Sequence, residues 1–209
     1  MEKIKRVIGV DPGLTITGFG ILDYKGGQIR TVAFGTIKPP VKESLPNRLE
    51  YLNSHMTELL EKFEPNAFAI EDTFFSQNVK SALLLGQARG VLLLAAASKG
   101  IPSMDYAPRK IKQSVVGNGA ADKTQVQYMV QQILKMDEPP KPLDVSDALA
   151  IGLCHIYNIL RCKGIVRNND DNMLNYVVEF GGTQTKISDN TVIAIEIHHV
   201  SCFEPLIKQ

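Results

Sequence analysis

Cysteine is scarce in this chain of 209 residues, and the cysteines that are present follow no recognisable spacing. Cys154, Cys162 and Cys202 are an odd number and lack the paired arrangement of a disulfide-stabilised secreted domain. Cys154 is followed by a histidine, but no second pair of ligands accompanies these two residues, so a zinc site is not expected. We therefore predict free thiols, a reducing compartment and a cytoplasmic location.

Membrane-spanning and targeting segments are also missing from the sequence pattern. No apolar run reaches membrane-spanning length, and the first residues, MEKIKRVIGV, lead directly into a strand pattern rather than a signal peptide. We find no internal repeat, low-complexity tract, P-loop or nucleophilic triad. The composition, with 44% apolar and 22% charged residues, predicts a folded globular chain that has no membrane partner.

Charge is nearly balanced overall but unevenly distributed along the sequence. The formal net charge is +1, yet residues 80–123 include seven basic and two acidic residues, whereas ten acidic and six basic residues follow from position 137. A locally basic region can hold a polyanion while the overall charge stays near zero. A solvated surface with scattered lysines would give the same distribution. The candidate nucleic-acid contacts in this region are Lys80, Arg89, Arg109, Lys110, Lys112 and Lys123.

The order of apolar segments and turns predicts a mixed α/β domain. Strands are predicted at residues 5–11, from the Pro-Gly turn to about Leu22, and at 29–37, 67–70 and 101–106. Helices are predicted from Ser44 to about residue 63, and over 78–98, 110–116, 123–136 and 144–160. The first three strands form an antiparallel meander to which parallel strands are added. The second helix is apolar on all sides, which predicts deep burial or a shared interface.

The character of the sequence changes after a polar segment near residue 168. Residues 177–180 and 191–200 are predicted as two strands around a loop, GGTQTKISDN, at 181–190. They would form a small β appendage or a loosely docked tail. We therefore predict a main domain over residues 1–165 and a C-terminal extension over 166–209.

Carboxylates stand at the ends of predicted strands and near the start of the last helix. Asp11 ends the first strand, Glu71 ends the central strand, and Asp144 and Asp147 are spaced to share one helix face. Such a set suits two Mg²⁺ ions about 4 Å apart, which prefer oxygen ligands. One ion would activate water and the other would stabilise the leaving 3′ oxygen. Mn²⁺ is an alternative ion for such a site.

Each of these carboxylates also has a purely structural interpretation. Asp11 precedes Pro-Gly and can serve as a turn former. Asp144 can cap a helix, where its charge suits the helix dipole. Glu71 and Asp72 can be a solvated strand end, and on regular strand geometry they face opposite sides of the sheet, so both cannot serve one site.

Five stretches of the sequence, spread over its first three quarters, resemble one protein family. They are IGVDPGLTITGFGIL (8–22), FAIEDTFF (68–75), SALLLGQARGVLLLAA (81–96), RKIKQSVVGNGAADKTQVQYMV (109–130) and DVSDALAIGLCH (144–155). They resemble the RuvC family, the bacterial Holliday junction resolvases of the ribonuclease H-like superfamily. The resemblance implies a ribonuclease H-like mixed five-stranded sheet flanked by helices, and it says nothing about residues 166–209.

The resemblance also implies roles for particular residues. The family's catalytic metal ligands match Asp11, Glu71, Asp144 and Asp147, and its active-site lysines match Lys112 and Lys123. Phe74 matches the aromatic residue that inserts at the crossover bases of the junction. Solvated helix surface remains the alternative for the lysines, and core packing remains the alternative for Phe74. The family further implies a homodimer and contact with the RuvA–RuvB branch-migration complex.

The predicted function is a Mg²⁺-dependent endonuclease of recombination and repair that resolves four-way DNA junctions. It would make paired symmetric nicks and leave 5′-phosphate and 3′-hydroxyl ends. One alternative is a related nuclease that acts on RNA or RNA–DNA hybrids, and another is a non-catalytic junction-binding module. A third is an actin- and sugar-kinase-like ATPase, whose phosphate loop has a similar Asp-x-Gly pattern; those proteins need two such lobes, and this chain has room for one.

Overall fold

A computed structural model of the chain describes residues 5–72 and 79–160, together with the backbone of residues 161–162 and of three short strands between residues 166 and 187. The chain divides into two compact units, residues 1–156 and residues 157–209. The division falls inside the last helix. The domain bounds 1–165 and 166–209 remain a prediction.

An antiparallel meander of three strands begins the first unit, as the sequence predicts. The strands are β1 (Lys5–Asp11), β2 (Thr17–Lys25) and β3 (Gln28–Ile37). Gly26 and Gly27 join β2 to β3 with positive φ angles, and a two-residue hairpin turn of this kind favours glycine. The pairing of β1 with β2 places Asp11 opposite Gly18. The last residue of β1 therefore lies beside the start of β2.

Two parallel strands extend the meander into a mixed five-stranded sheet. They are β4 (Ala67–Glu71), which pairs with β1, and β5 (Ser103–Tyr106), which pairs with β4. The strand order is β3-β2-β1-β4-β5, so the fold-class prediction is confirmed. The register sets Val10 beside Ile70. The next residues, Asp11 and Glu71, therefore leave the same edge of the sheet.

The five helices among the described residues lie close to their predicted positions. They are α1 (Leu45–Phe63), α2 (Val79–Ser98), α3 (Pro108–Val116), α4 (Lys123–Leu134) and α5 (Leu143–Cys162). Ser44 occupies the N-cap position of α1, as predicted, but its side chain makes no capping hydrogen bond. Asp122 caps α4 in a complete capping box with Gln125, which the sequence interpretation did not include.

The two faces of the sheet are covered by different helices. Alternate residues Ile8 and Val10 of β1 are buried in one cluster with Leu52 and Met56 of α1 and with Leu92 of α2. The opposite face of β1 contacts α5, because Gly9 lies directly against the backbone of that helix. Side chains alternate along a strand, so Asp11 shares the α5 face with Gly9. Glu71 shares this face, since it lies two residues after Ala69, the partner of Gly9.

Two helices of the described part of the chain are long and apolar enough to cross a membrane by length and composition alone. They are Val79–Ser98 and Leu143–Leu160, and the sequence analysis did not predict them as such. Core helices of water-soluble proteins meet the same criterion. The Leu143–Leu160 segment is mostly buried, as a core helix is.

The second unit contains a small antiparallel sheet. Its strands are β6 (Val166–Arg167), β7 (Tyr176–Phe180) and β8 (Thr183–Ile187), in the order β6-β7-β8. The prediction of a strand at 177–180 is confirmed by β7. The predicted loop at 181–190 is wrong over residues 183–187, where β8 lies; the Gly-Gly pair before an alternating segment was a hairpin signal. The predicted strand at 191–200 lies outside the described residues.

Candidate active site

Asp11 and Glu71 define one edge of the sheet as the candidate active site. Both are the last residues of adjacent parallel strands, and both face α5. Their side chains are half-buried, so they lie at the boundary between the core and the surface. Thr17 closes the loop after Asp11, because its hydroxyl donates a hydrogen bond to the carbonyl oxygen of Gly13 at 2.6 Å. The end of β1 is thereby held in a defined turn.

Glycines bring α5 into direct contact with this part of the sheet. A Cβ atom at Gly18 would lie 2.0 Å from the carbonyl oxygen of Asp144, and one at Gly9 would lie 2.2 Å from that of Ala148. Both distances are far inside van der Waals contact, so only glycine permits this approach. Because Gly18 is the partner of Asp11 in the sheet, the contact places the start of α5 beside Asp11. Asp147 follows one helical turn after Asp144.

The charges of the predicted metal-ligand carboxylates influence the pKa values of two of them, Asp11 and Glu71. The pKa of Asp11 is raised from 3.8 to about 8, first by burial and then by the negative charges of Glu71, Asp147 and, more weakly, Asp144. The pKa of Glu71 is also raised, first by burial and then by Asp147. The structure therefore places Glu71, Asp147 and Asp144 close enough to Asp11 for their charges to raise its pKa. Their roles as catalytic and metal-binding residues remain predictions.

The two predicted active-site lysines interact electrostatically with these carboxylates. Lys123 donates a hydrogen bond from Nζ to Asp147 Oδ2 at 2.7 Å, and this bond raises the pKa of the lysine. The positive charges of Lys123 and Lys112 both lower the pKa of Glu71 and so oppose the effect of burial. Lys112 and Lys123 come from different helices, α3 and α4. The site thus combines a cluster of negative charge with two adjacent cations.

The connection between α3 and α4 is held by side-chain hydrogen bonds to its backbone. Gln113 donates from Nε2 to the carbonyl oxygen of Gly117 at 2.6 Å and accepts the amide hydrogen of Gly119 at 3.1 Å. Asn118 accepts the amide hydrogen of Ala120 at 2.9 Å. The turn that separates the two lysines is therefore ordered by its own polar residues.

The chemistry of the donor set fits a divalent cation. Carboxylate oxygens are the ligands that Mg²⁺ and Mn²⁺ prefer. Burial and then neighbouring carboxylates raise the pKa of Asp11 and Glu71, and a bound cation would oppose both effects by stabilising the ionised forms. Within residues 5–72 and 79–160, however, no three Asp, Glu, His or Cys side chains form a compact metal-binding group. Asp147 is paired with Lys123 at 2.7 Å.

The other predicted DNA-contact residues have different surroundings. Lys80, Arg109 and Lys110 are exposed on α2 and α3, and the Nζ atom of Lys110 lies 5.3 Å from the centroid of the Tyr106 ring. Arg89 is directed into the fold, where its Nε atom donates to the carbonyl oxygen of Glu71 at 3.3 Å. Phe74 lies outside the described residues.

A buried polar pair near the site was not predicted from the sequence. The hydroxyl of Tyr106 lies 2.8 Å from Nδ1 of His155, and both residues are buried. The carbonyl oxygen of Tyr106 accepts the amide hydrogen of Asp72 at 2.8 Å, directly after Glu71. His155 was considered only as a zinc ligand beside Cys154. A histidine on an otherwise apolar helix face was the available signal for a buried partner.

Comparison with protein families matches most of the chain. The sequence model for crossover junction endodeoxyribonuclease RuvC matches residues 7–155. The crossover junction endodeoxyribonuclease RuvC of Finegoldia magna is 45% identical over 152 residues, which cover 73% of this chain and 93% of the relative. The chain belongs to the RuvC family of crossover junction endodeoxyribonucleases. It is therefore a nuclease, and the ATPase-like alternative is disfavoured.

Other RuvC relatives and solved structures agree with this assignment. The RuvC of Photorhabdus laumondii is 45% identical over 158 residues, which cover 74% of this chain and 90% of the relative. A structure described as Thermus thermophilus RuvC in complex with Holliday junction substrate is 35% identical, has a TM-score of 0.71, and is matched over 74% of this chain and 94% of that one. The yeast mitochondrial Holliday junction resolvase Ydc2, with 13% identity and a TM-score of 0.54, shares the fold. RuvC nuclease chemistry is consistent with a divalent metal ion.

Proposed function

We propose that this chain resolves four-way DNA junctions in recombination and repair, in the cytoplasm, through paired symmetric nicks that leave 5′-phosphate and 3′-hydroxyl ends. The observation that carries the proposal is the meeting of Asp11 and Glu71, from adjacent strand ends, with Asp147 of α5 and its lysine partner. The Thermus thermophilus relative, described in complex with a Holliday junction substrate, supports the choice of DNA substrate.

Two Mg²⁺ ions per active site are the proposed cofactors, and Mn²⁺ would substitute for them. Asp11, Glu71, Asp144 and Asp147 would hold the ions, because their oxygens are the hard donors gathered at this edge of the sheet. When bound, such ions activate water and stabilise the leaving 3′ oxygen. Binding a cation would also stabilise the ionised forms of Asp11 and Glu71, which burial and neighbouring carboxylates disfavour in its absence.

Lys112 and Lys123 are proposed to act on the negative charge of the scissile phosphate. A cation held beside a phosphate that is under attack stabilises the charge that develops in the transition state. Lys123 is oriented for this role by its hydrogen bond to Asp147, and 63% of its side chain remains exposed to an approaching substrate. Lys112 lies on α3, and its positive charge lowers the pKa of Glu71.

The proposed DNA surface contains the exposed basic residues of α2, α3 and α4. Lys80, Arg109 and Lys110 are exposed and would contact phosphates, and Phe74 would insert between bases at the crossover. A homodimer is proposed because two symmetric nicks need two sites. Exposed apolar side chains on α2, at Val79, Leu83 and Leu94, suit such an interface. A contact with the RuvA–RuvB branch-migration complex belongs to the same proposal.

The decisive experiment is cleavage of an end-labelled immobile four-way junction beside a matched duplex and a matched RNA–DNA hybrid. Wild type, Asp11→Asn and the exposed control Asp137→Asn would each be assayed with and without Mg²⁺. We expect paired, ligatable nicks in the junction alone, dependent on Mg²⁺ and on Asp11 but not on Asp137. Cleavage of the hybrid without the junction would support the RNA-directed alternative. Junction binding without cleavage would support a non-catalytic module.

A further inference from the structure

The peptide group that follows Glu71 is held at both of its polar ends. Its carbonyl oxygen accepts a hydrogen bond from Arg89 Nε at 3.3 Å. Its amide hydrogen, which belongs to Asp72, is donated to the carbonyl oxygen of Tyr106 at 2.8 Å. A peptide group is planar, so fixing both ends fixes its orientation and hence the ψ angle of Glu71. The direction in which the Glu71 side chain leaves the backbone depends on that angle.

Arg89 is itself fixed by a second partner on the neighbouring strand. Its Nη2 atom forms an ion pair with Oδ1 of Asp105, which precedes Tyr106 on β5. Only 20% of the Arg89 side chain is exposed, compared with 54% of that of Asp105. The planar guanidinium presents donors in a rigid fork, which lets one side chain bind two acceptors at once. Arg89 thus connects α2 to the ends of β4 and β5.

The helix that carries Arg89 is anchored on the sheet immediately beside this residue. Ala88 and Leu92 are fully buried in the core cluster shared with Ile70, the residue before Glu71. Arg89 therefore projects from a packed segment rather than from a mobile surface turn. Because the helix is fixed on the sheet, Arg89 holds the end of β4 at a fixed position relative to the helix.

We propose that Arg89 is a positioning residue of the nuclease reaction, which orients Glu71 toward Asp11 and Asp147 by holding the peptide group after it, and which makes no contact with DNA. The inference rests on the proposed function of this site and replaces the earlier assignment of Arg89 as a DNA contact. Misplacement of a reacting group by about 1 Å can lower a rate by about 100-fold. We expect loss of Arg89 to lower the cleavage rate by about 10- to 100-fold.

Two substitutions separate positioning from DNA contact. Arg89→Gln removes the charge, whereas Arg89→Lys keeps the charge but replaces the fork with a single ammonium that cannot bind both acceptors. If Arg89 positions Glu71, both variants lose single-turnover rate at saturating protein and Mg²⁺. The dissociation constant for the junction, measured with Ca²⁺ in place of Mg²⁺, then stays within about twofold of wild type. Arg30→Gln, at an exposed position on the edge strand β3, is the matched control for loss of one arginine.

The salt dependence of junction binding distinguishes a positioning residue from a phosphate contact. Removing one such contact lowers the slope of log K against log salt concentration by about 1. A reduced slope in Arg89→Gln together with rescue by Arg89→Lys would overturn the proposal. An unchanged cleavage rate in both variants would overturn it as well. An unchanged slope with a slow single turnover in both variants would support it.

A readout without catalysis separates failure of this inference from failure of the proposed function. Hydrogen exchange at the Asp72 amide reports directly on the peptide group that Arg89 holds. We expect faster exchange in Arg89→Gln, with wild-type exchange in Arg30→Gln, under conditions where thermal melting shows all three proteins folded. Unchanged exchange at Asp72 would refute the positioning role. A wild-type protein that cleaves no junction would refute the proposed function and leave the exchange result to decide the role of Arg89.

Discussion

Lys123 Nζ lies 2.7 Å from Asp147 Oδ2, so a cation from α4 is paired with a carboxylate from α5 at the edge of the sheet. This pair links the positive and negative components of the candidate site. It also lowers the pKa of both Asp11 and Glu71, which would otherwise be raised further by burial. Lys123 therefore influences the charge state of residues that it does not touch.

Replacing Lys123 by alanine should slow junction cleavage much more than it weakens junction binding. Loss of one charge-stabilising donor commonly costs about 10²- to 10³-fold in rate. The pH at which the rate begins to rise should also be higher than in wild type. The variant lacks the positive charge that lowers the pKa of Asp11 and Glu71. Single-turnover rates over a pH series, with junction affinity measured separately, test both effects. Lys123→Arg is the control that keeps the charge; an affinity loss equal to the rate loss would contradict the catalytic role.

Replacing Asp11 by asparagine should stabilise the protein when divalent ions are chelated. Folding raises the pKa of this carboxyl from 3.8 to about 8, so the folded state binds its proton more tightly than the unfolded state does. The stability contributed by the protonated group is complete below pH 4 and is lost as the pH rises toward 8. The melting temperature of Asp11→Asn should therefore exceed that of wild type increasingly from about pH 4 to 8.

Thermal melting in EDTA across this pH range checks the Asp11 prediction. Addition of Mg²⁺ should reduce or reverse the difference, because bound cations stabilise the protein that retains the carboxylate. Asp137→Asn, at an exposed position, is the control and should follow wild type at every pH. Parallel curves for wild type and Asp11→Asn would show that Asp11 does not titrate as described.

Replacing Gly18 by alanine should destabilise the fold by about 1–3 kcal/mol or more, because overpacking forces backbone shifts. The added Cβ atom would lie 2.0 Å from the carbonyl oxygen of Asp144. Gly86→Ala is the matched control, since nothing lies within 4 Å of its Cβ position on α2. That change should be neutral or stabilising by about 0.5–1 kcal/mol, as glycine is unfavourable inside a helix. Urea unfolding of both variants tests the contrast, and equal destabilisation would refute the close packing.

Replacing Tyr106 by phenylalanine should destabilise the protein by about 1–3 kcal/mol, the usual cost of an unsatisfied buried polar group. The change removes the hydroxyl that lies 2.8 Å from His155 Nδ1. Among the described residues, Nε2 of His155 has no hydrogen-bond partner, so the ring would lose its remaining one. Chemical denaturation measures the effect. Tyr128→Phe, at an exposed position on α4, is the control and should change stability little.

His155 should also give the stability of the protein an acid limit. Its pKa is lowered from 6.5 to about 4, first by burial and then by the charge of Lys5. Because the folded state favours the neutral ring, the stability from this residue is present above pH 6.5 and is lost as the pH falls toward 4. The imidazole resonances of His155, followed by nuclear magnetic resonance over this pH range, report its titration. A midpoint near 6.5 would contradict the burial of the His155 ring.

Much of the fold followed from patterns within single segments. Apolar runs bounded by glycine, proline or charge identified all five strands of the main sheet, and apolar segments between turns identified α1 to α5 to within a few residues. The strand-end positions of Asp11 and Glu71 were visible because charge interrupts each apolar run. The spacing of Asp144 and Asp147 placed them on one helix face. These features depend on local sequence alone.

Other features depend on which surfaces meet, and single segments did not reveal them. The role of Gly18 was not predicted, because its contact with Asp144 joins residues far apart in sequence. Arg89 was predicted as a DNA contact, although its partners in the structure are the backbone of Glu71 and the carboxylate of Asp105. The strand β8 was assigned to a loop because polar threonine and glutamine residues obscured its alternation.

The contact of α5 with β1 and β2 has no side chain between the two backbones at Gly9 and Gly18. The separation between Asp11 on the sheet and Asp144 on the helix is therefore set by the radii of main-chain atoms. The size of main-chain atoms does not change with sequence. If leucine or valine side chains separated the helix from the sheet, the separation would change with every substitution. Core residues on the opposite face of the sheet can then vary in volume, at a cost in stability, without altering the distance across which the carboxylates must act.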